Sequence, residues 1–370
     1  MSSASKAAPG TFGRFFLPGP TEVLPEILAA QTRPMIGHRG KSMEQLIAGM
    51  MPGLQRIFRT NRPVYLSASS ATGLMEAAVR NCGGQRVLSL VNGAFSDRFF
   101  KIAQANGFPV DALEVPMGQV HLPDLVRGAL RRTRYDAITV VHSETSTGAL
   151  NPIAELAQVA HEAGEVLLLV DSVTGLAGAP VETDAWDLDF VLTGSQKALA
   201  LPPGLALGVA HARALERARH APHRGVYFDL VEFESYIRKN QTPNTPALSL
   251  LYALAAQVTR IEAETIEGRW ARHRAMAERT WRWVEEARGR GLEVEVLAPE
   301  GYRSPTVTCI ALPPGCKGSE VNDQMKARGF TISAGYGALK DATIRIGHMG
   351  DHTVAELELV LDALNEVLTV

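Results

Sequence analysis

The chain has 370 residues, 46% of them hydrophobic, enough to bury a large core arranged in two or three domains. A formal net charge of -2 gives no field for a polyanion, which argues against nucleic acid and anionic membrane as partners. Three cysteines (Cys82, Cys309, Cys316) without CxxC spacing point to neither a disulfide framework nor a zinc site, and so to a reducing, cytoplasmic setting.

Residues 1–20 read as an N-terminal arm that ends in the turn-rich Leu17-Pro18-Gly19-Pro20. No apolar h-region follows MSSASKAAPG, and no uninterrupted 18-residue apolar stretch occurs, so neither export nor a membrane span is expected. Helical patterns follow at 22–31 and 42–58. From residue 64, strand-like runs at 64–67, 86–91, 112–115, 137–142, 166–171, 190–193 and 207–210 alternate with helical patterns at 72–82, 96–106, 122–133 and 152–163. That alternation predicts an α/β domain with a mostly parallel seven-stranded sheet flanked by helices. Beyond residue 245 an apolar-periodic stretch from Pro246 to about Gly289 reads as helices leading out of the sheet. Strands near 292–297, 306–312 and 343–347, a helix near 318–328 and a closing helix from 352 then form a smaller α+β unit. The organisation expected is an arm (1–20), a large domain (21–265) and a small C-terminal domain (266–370).

Asp171 closes the apolar run Leu167-Leu168-Leu169-Val170, at the carboxyl end of a strand, where open α/β sheets place ligands. An Asp there also serves as an N-cap for Ser172-Val173-Thr174. Lys197 ends Thr193-Gly194-Ser195-Gln196-Lys197 after a second apolar strand and is followed by Ala198-Leu199-Ala200-Leu201. The chain holds only 8 Lys against 29 Arg, so a Lys in apolar surroundings needs a reason. Desolvation weakens its charged form, as a Schiff-base amine requires, although a lysine at a domain rim can also extend its head to solvent. Together the two residues suit a pyridoxal cofactor, which needs an amine for its aldehyde and an acid opposite its ring nitrogen. Ser67-Ala68-Ser69-Ser70-Ala71-Thr72-Gly73, before a helix, reads either as ordinary caps or as an anion site. His142-Ser143-Glu144-Thr145-Ser146-Thr147-Gly148 adds hydroxyls after another strand. Phe95 is a candidate to stack on a ring, or is core. Arg345, between Ile344 and Ile346, offers a bidentate site for a carboxylate or an ion pair between domains.

These segments resemble the class V aminotransferases of fold type I, in the alanine–glyoxylate and serine–glyoxylate (serine–pyruvate) group. The resemblance is carried by Pro18-Gly19-Pro20, Ile36-Gly37-His38-Arg39-Gly40, Val91-Asn92-Gly93 and His142 to Gly148. It continues in Val170-Asp171-Ser172-Val173, Gly194-Ser195-Gln196-Lys197-Ala198-Leu199, Pro202-Pro203-Gly204, Thr245-Pro246, Ser304-Pro305-Thr306-Val307-Thr308 and Arg345-Ile346-Gly347. It implies pyridoxal 5'-phosphate with Lys197 as the Schiff-base lysine and Asp171 as the partner of the pyridine nitrogen. It further implies Phe95 stacked on the ring, Ser146 near the phenolic oxygen, and Ser70, Ala71, Thr72 and Gln196 around the phosphate. Thr245 would be lent by the neighbouring subunit, making a homodimer, while Arg345, Gly37 and His38 would meet the substrate. Thr242 stands where many relatives carry Tyr. The implied reaction moves an amino group from alanine or serine to glyoxylate or pyruvate.

Two rivals stay open at this level. A lyase or desulfurase of the same fold needs a mobile cysteine, for which Cys316, after Pro313-Pro314-Gly315, is the candidate. A dimeric scaffold without activity is the other. No strand-linked GxGxxG supports a nicotinamide enzyme.

Overall fold

A computed structural model describes residues 12–368, so the first eleven residues of the expected arm lie outside the described part. In chain order the strands are β1 (Tyr65–Ser67), β2 (Val87–Val91), β3 (Val110–Glu114), β4 (Ala137–Val141), β5 (Ser143–Glu144) and β6 (Ala149–Leu150). Then come β7 (Leu167–Asp171), β8 (Phe190–Gly194), β9 (Ala206–Ala210), β10 (Glu295–Val296), β11 (Thr308–Ala311), β12 (Ser333–Ala334) and β13 (Thr343–Ile346). Seven strands form the main sheet in the order β1-β9-β8-β7-β4-β2-β3. Only β9 runs against its neighbours, so the expected mostly parallel seven-stranded sheet is present.

The central strands are continuous apolar runs because helices cover both faces of such a sheet. Every residue of β4, β7 and β8 is buried, whereas β3, at the edge, carries Asp111 and Glu114 and is partly exposed. Since β1, β2, β4, β7 and β8 run the same way, their carboxyl ends open on one edge of the sheet. Ser70, Phe95, His142–Ser146, Asp171 and Lys197 all follow these ends.

Two helices in 211–245, Ala212–His220 and Leu230–Ile237, were not expected. The first is rich in Arg and buries little beyond Ala214, Leu215 and Ala218. The second has eight residues, and its start is set by Asp229, whose carboxylate accepts from Val231 N–H at 2.9 Å. The expected strand at 292–297 shrinks to the two residues of β10, which pair with β11 at the edge of a four-stranded antiparallel sheet, β10-β11-β13-β12.

The helix Ile266–Gly289 starts in the main core and reaches a second one built from Met276, Trp283, Ile310, Ile344, Ile346, Leu361 and others. The arm joins this second core: Phe16 is fully buried in it, and Phe16 N–H donates to Thr331 O at 2.7 Å. Burying one Phe contributes roughly 2–3 kcal/mol, which anchors the segment leading to Pro18 and Gly19.

Candidate active site

Asp171 and Lys197 meet in a cavity of about 310 Å³ at the carboxyl edge, lined also by Ser70, Ala71, Thr72, Phe95, Arg98, Thr145, Thr174 and Gln196. Asp171 ends β7 and is nearly fully buried; one of its oxygens accepts from Val173 N–H at 2.8 Å. Burial pushes its carboxyl up to about 7, the charge of Glu144 adding to the effect while Val173 N–H and Lys197 oppose it. Lys197 is 7% exposed. Burial, followed by the charge of Arg345, brings its amine down to about 8. Its Nζ donates to the carbonyl of Pro18. Gly19 has a left-handed φ of 117°, and a Cβ there would lie 2.4 Å from Lys197 Nζ, so the arm closes over the lysine only with glycine at this position. On the other side, Arg269 donates to Ala198 O at 2.7 Å and to Asp351 at 2.9 Å, tying the segment after Lys197 to the second sheet unit.

The opposite end of the cavity has the chemistry of an anion cradle. The helix Ala71–Cys82 begins here, and its N-cap residue Ser70 makes no side-chain capping hydrogen bond; Gly73 N–H donates to Ser70 O at 2.9 Å, which leaves the N–H groups of Ala71 and Thr72 available. Gln196 lines the same cavity, and among the described residues its buried Oε1 has no hydrogen-bond partner; its Nε2 is the atom able to donate to an anion. Hydroxyls, helix-start N–H groups and the Nε2 of Gln196 fit a phosphate, while the amine and acid at the other end fit a pyridoxal ring. Among the described residues, no group of three or more His, Cys, Asp or Glu could hold a metal ion.

Phe95 is set over the site by a residue not singled out from sequence. Glu144 is completely buried and forms no ion pair among the described residues, yet accepts from Phe95 N–H (3.2 Å), Ser96 N–H (2.9 Å), Ser96 Oγ (3.0 Å), Ser146 N–H (3.1 Å) and Ser146 Oγ (2.6 Å). Its carboxylate thus satisfies the start of the helix Ala94–Ala105, where the helix dipole also favours negative charge. The approach is close enough that a Cβ on Gly93 would meet Glu144 Cδ at 2.5 Å. Ser146 is consumed by this arrangement and also accepts from Ala94 N–H at 3.0 Å; it does not line the cavity. Thr145 does, paired to Thr174 across 2.5 Å. Of the two neighbouring hydroxyl residues, Thr145 is the one that lines the cavity.

Arg345 lies on β13, a strand paired on both sides and buried throughout rather than half-buried. It donates to Ala334 O (3.2 Å), Thr145 O (3.2 Å) and Ser333 Oγ (2.8 Å), and its guanidinium sits 5.5 Å from the ring centre of Tyr336. Tyr336 in turn packs on Phe95, ring centres 5.7 Å apart.

The sequence profile described as "Aminotransferase class-V" matches residues 74–359. The chain belongs to this family. An aminotransferase of Methanocaldococcus jannaschii is 36% identical, the match covering 95% of this chain and 92% of that protein. The serine–glyoxylate aminotransferase of Arabidopsis thaliana is 32% identical over 93% of this chain and 87% of its own. Among solved structures, the alanine–glyoxylate aminotransferase of Nostoc sp. superposes with a TM-score of 0.89 at 28% identity, covering 96% of this chain and 95% of that one. The fold is that of the fold type I aminotransferases, and the chain is a transaminase.

In this class-V aminotransferase, five of the expected site residues do not line the cavity: Ser146, Arg345, Gly37, His38 and Thr245. Gly37 and Thr245 are exposed and His38 is half-buried, and none of the three lines the cavity. They are linked on one surface by Arg39, which donates to the carbonyls of Thr242 (2.5 Å) and Pro243 (2.7 Å). Thr242 turns its hydroxyl into its own loop, donating to Asn244 O at 2.8 Å. The same face exposes Val226 and Tyr227 close by, Tyr227 donating to Ala68 O at 3.1 Å. Cys316 lines none of the cavities described here, and burial raises its thiol.

Proposed function

We propose that the enzyme binds pyridoxal 5'-phosphate at Lys197 and moves the amino group of alanine or serine to glyoxylate or pyruvate. The observation that carries this reading is the pairing of a buried amine and a buried acid in one cavity with an anion cradle at its far end. When bound, the cofactor supplies an aldehyde for the amine and a ring that accepts electrons from the substrate.

The residues divide the work. Asp171 holds a proton on the ring nitrogen, and the orientation of its carboxylate is set by Val173 N–H. Lys197, its amine brought to about 8, spends enough of its time neutral near physiological pH to act as a nucleophile. With the cofactor bound, the Lys197 amine would be the base that takes and returns the proton at the substrate Cα. Ser70, Thr72, the N–H groups of Ala71 and Thr72 and the Nε2 of Gln196 would hold the phosphate, Phe95 would cover the ring, and Thr145 would supply a hydroxyl to it. The N–H groups of Arg345 not taken by Ala334, Thr145 and Ser333 receive the α-carboxylate. The Pro18–Gly19 segment excludes water from the amine.

The reading includes a homodimer in which Gly37, His38 and Thr245 complete the partner's site, supported by their shared exposed surface. The three free cysteines suit a cytoplasmic location; among the described residues no helix is long and apolar enough to cross a membrane. Incubation with alanine and glyoxylate, or serine and pyruvate, should yield glycine or alanine, and borohydride reduction should fix the cofactor to residue 197. Absence of product with every small donor sinks the substrate assignment; label on another residue sinks the role of Lys197.

A further inference from the structure

We propose that Arg269 is a positioning residue for Lys197: anchored by Asp351, it grips the carbonyl of Ala198 and so sets the depth at which the lysine amine is held in the cavity. The proposal rests on the reading of Lys197 given above. Arg269 lies in the first turn of the helix Ile266–Gly289 and is 1% exposed. A guanidinium this deep needs acceptors for its N–H groups and an opposite charge. Nε and Nη2 both donate to Ala198 O, at 3.3 and 2.7 Å. Nη1 donates to Asp351 Oδ1 at 2.9 Å and to Glu264 Oε2 at 3.1 Å. The Asp351 side chain is buried too and accepts from Gln257 Nε2 at 3.0 Å. Burial would raise its carboxyl, but the charge and hydrogen bond of Arg269 hold it below its ordinary value.

Among the described residues, Arg269 is the only hydrogen-bond donor to Ala198 O. Its tie to the Asp351 segment, by contrast, is duplicated. Arg272, one turn later, donates to Gly350 O (3.0 Å) and His352 O (2.5 Å) and binds both oxygens of Glu264 (2.6 and 2.9 Å). His273 accepts from Gly350 N–H at 3.0 Å. The segment around Asp351 therefore stays tied to the helix without Arg269, whereas the grip on Ala198 is lost with it.

That grip bears on the amine because the lysine side chain has little else to hold it. Among the described residues Nζ has one hydrogen-bond acceptor, Pro18 O, and the flexible stem follows wherever its backbone goes. Burial is the largest influence on the amine; the charges of Arg345 and Arg98 also disfavour its protonated form, while Asp171 and Glu144 favour it. Those four charges stand on β13, the helix Ala94–Ala105, β7 and β5, and all remain when Arg269 is changed. What changes is how far the amine can move toward water. With it changes the neutral fraction able to attack an aldehyde.

The test compares the full chain, freed of cofactor, as wild type, Arg269→Gln, Arg269→Lys and Arg272→Gln. Pyridoxal 5'-phosphate is added across a range of pH, and borohydride reduces the linkage formed as amine and aldehyde lose water. The label on residue 197 is then followed in time by peptide mass. In wild type the rate should rise with pH through about 8. Arg269→Gln should move that midpoint to about 9 or higher and lower the rate near neutral pH about tenfold, with Arg269→Lys in between. Arg272→Gln should leave the midpoint in place. Pyridoxamine 5'-phosphate, which has no aldehyde, should bind wild type and Arg269→Gln alike by calorimetry, whereas general damage to the fold weakens it too. An unmoved midpoint in Arg269→Gln overturns the proposal, as does an equal move in Arg272→Gln. So does a loss of pyridoxamine 5'-phosphate affinity that matches the loss of labelling rate. In each case label on residue 197 of wild type leaves the proposed function intact, whereas label on another residue overturns both. Should Arg269→Gln fail to fold, Arg269→Lys against Arg272→Gln decides by the same criteria.

Discussion

Replacing Asp171 by Asn should stabilise the cofactor-free protein, and by an amount that depends on pH. Burial raises this carboxyl from 3.8 to about 7. A raised carboxyl binds its proton more tightly when folded, so its contribution to stability is complete below pH 3.8 and is lost as pH rises to 7. At ~1.4 kcal/mol for each tenfold change in proton affinity, the ionised form costs the fold about 4 kcal/mol at pH 8 and about 1–2 kcal/mol at pH 5. Asn removes that cost and can still accept from Val173 N–H, while the attraction between Asp171 and Lys197 is forfeited. The expected net gain is therefore about 3 kcal/mol at pH 8, shrinking to near zero by pH 4. Urea denaturation of the two cofactor-free proteins at pH 4, 5, 6 and 8 measures it directly. A gain that does not change with pH, or a loss at pH 8, would refute the reasoning that burial holds this carboxyl high. Transaminase activity of Asp171→Asn should meanwhile fall steeply, since an amide does not keep the ring nitrogen protonated.

Four other outcomes follow from the same geometry. Glu144→Ala leaves five donors without their acceptor and should destabilise the protein by about 3 kcal/mol, seen in urea denaturation together with weaker cofactor retention as Phe95 loosens. Arg345→Lys replaces a planar fork by a point charge and should raise KM for every donor about tenfold, and it should lower the melting temperature as well, because one ammonium cannot keep the bonds to Ala334, Thr145 and Ser333. Thr245→Ala should lower cofactor affinity without changing the Lys197 environment within one subunit, measurable by dialysis and absorbance; unaltered retention removes the lent residue from the account. Cys316→Ser should leave turnover undiminished in steady-state assays, and a large loss would revive desulfurase-type chemistry.

Much of this site was legible because a parallel sheet converts sequence position into place. Asp171 and Lys197 each close an apolar run, and parallel strands buried on both faces bring such run-ends to one edge. What could not be read is how side chains turn once a strand has ended. After β4 the chain restarts its pleat in the two-residue strand β5, so whether Thr145 or Ser146 points inward depends on the pairing of Ser143 with Leu150, which no periodicity marks. The helix Ala212–His220 escaped for a related reason: little of it is buried, so it leaves no strong apolar pattern, whereas the strand expected at 292–297 is present only as the two residues of β10.

Glu144 shows the deeper limit. A carboxylate amid hydroxyls in a loop reads as solvent-facing, because nothing nearby in the chain explains its burial. Three of its five donors come from Phe95 and Ser96, nearly fifty positions earlier, at the start of a helix on the neighbouring strand's exit. The same negative charge that orders Phe95 also helps hold Asp171 high, so the position of the stacking ring and the proton affinity of the acid share one cause. Substituting Glu144 should therefore shift both together, and a variant that loosened Phe95 while leaving the titration of Asp171 unmoved would separate what the fold here joins.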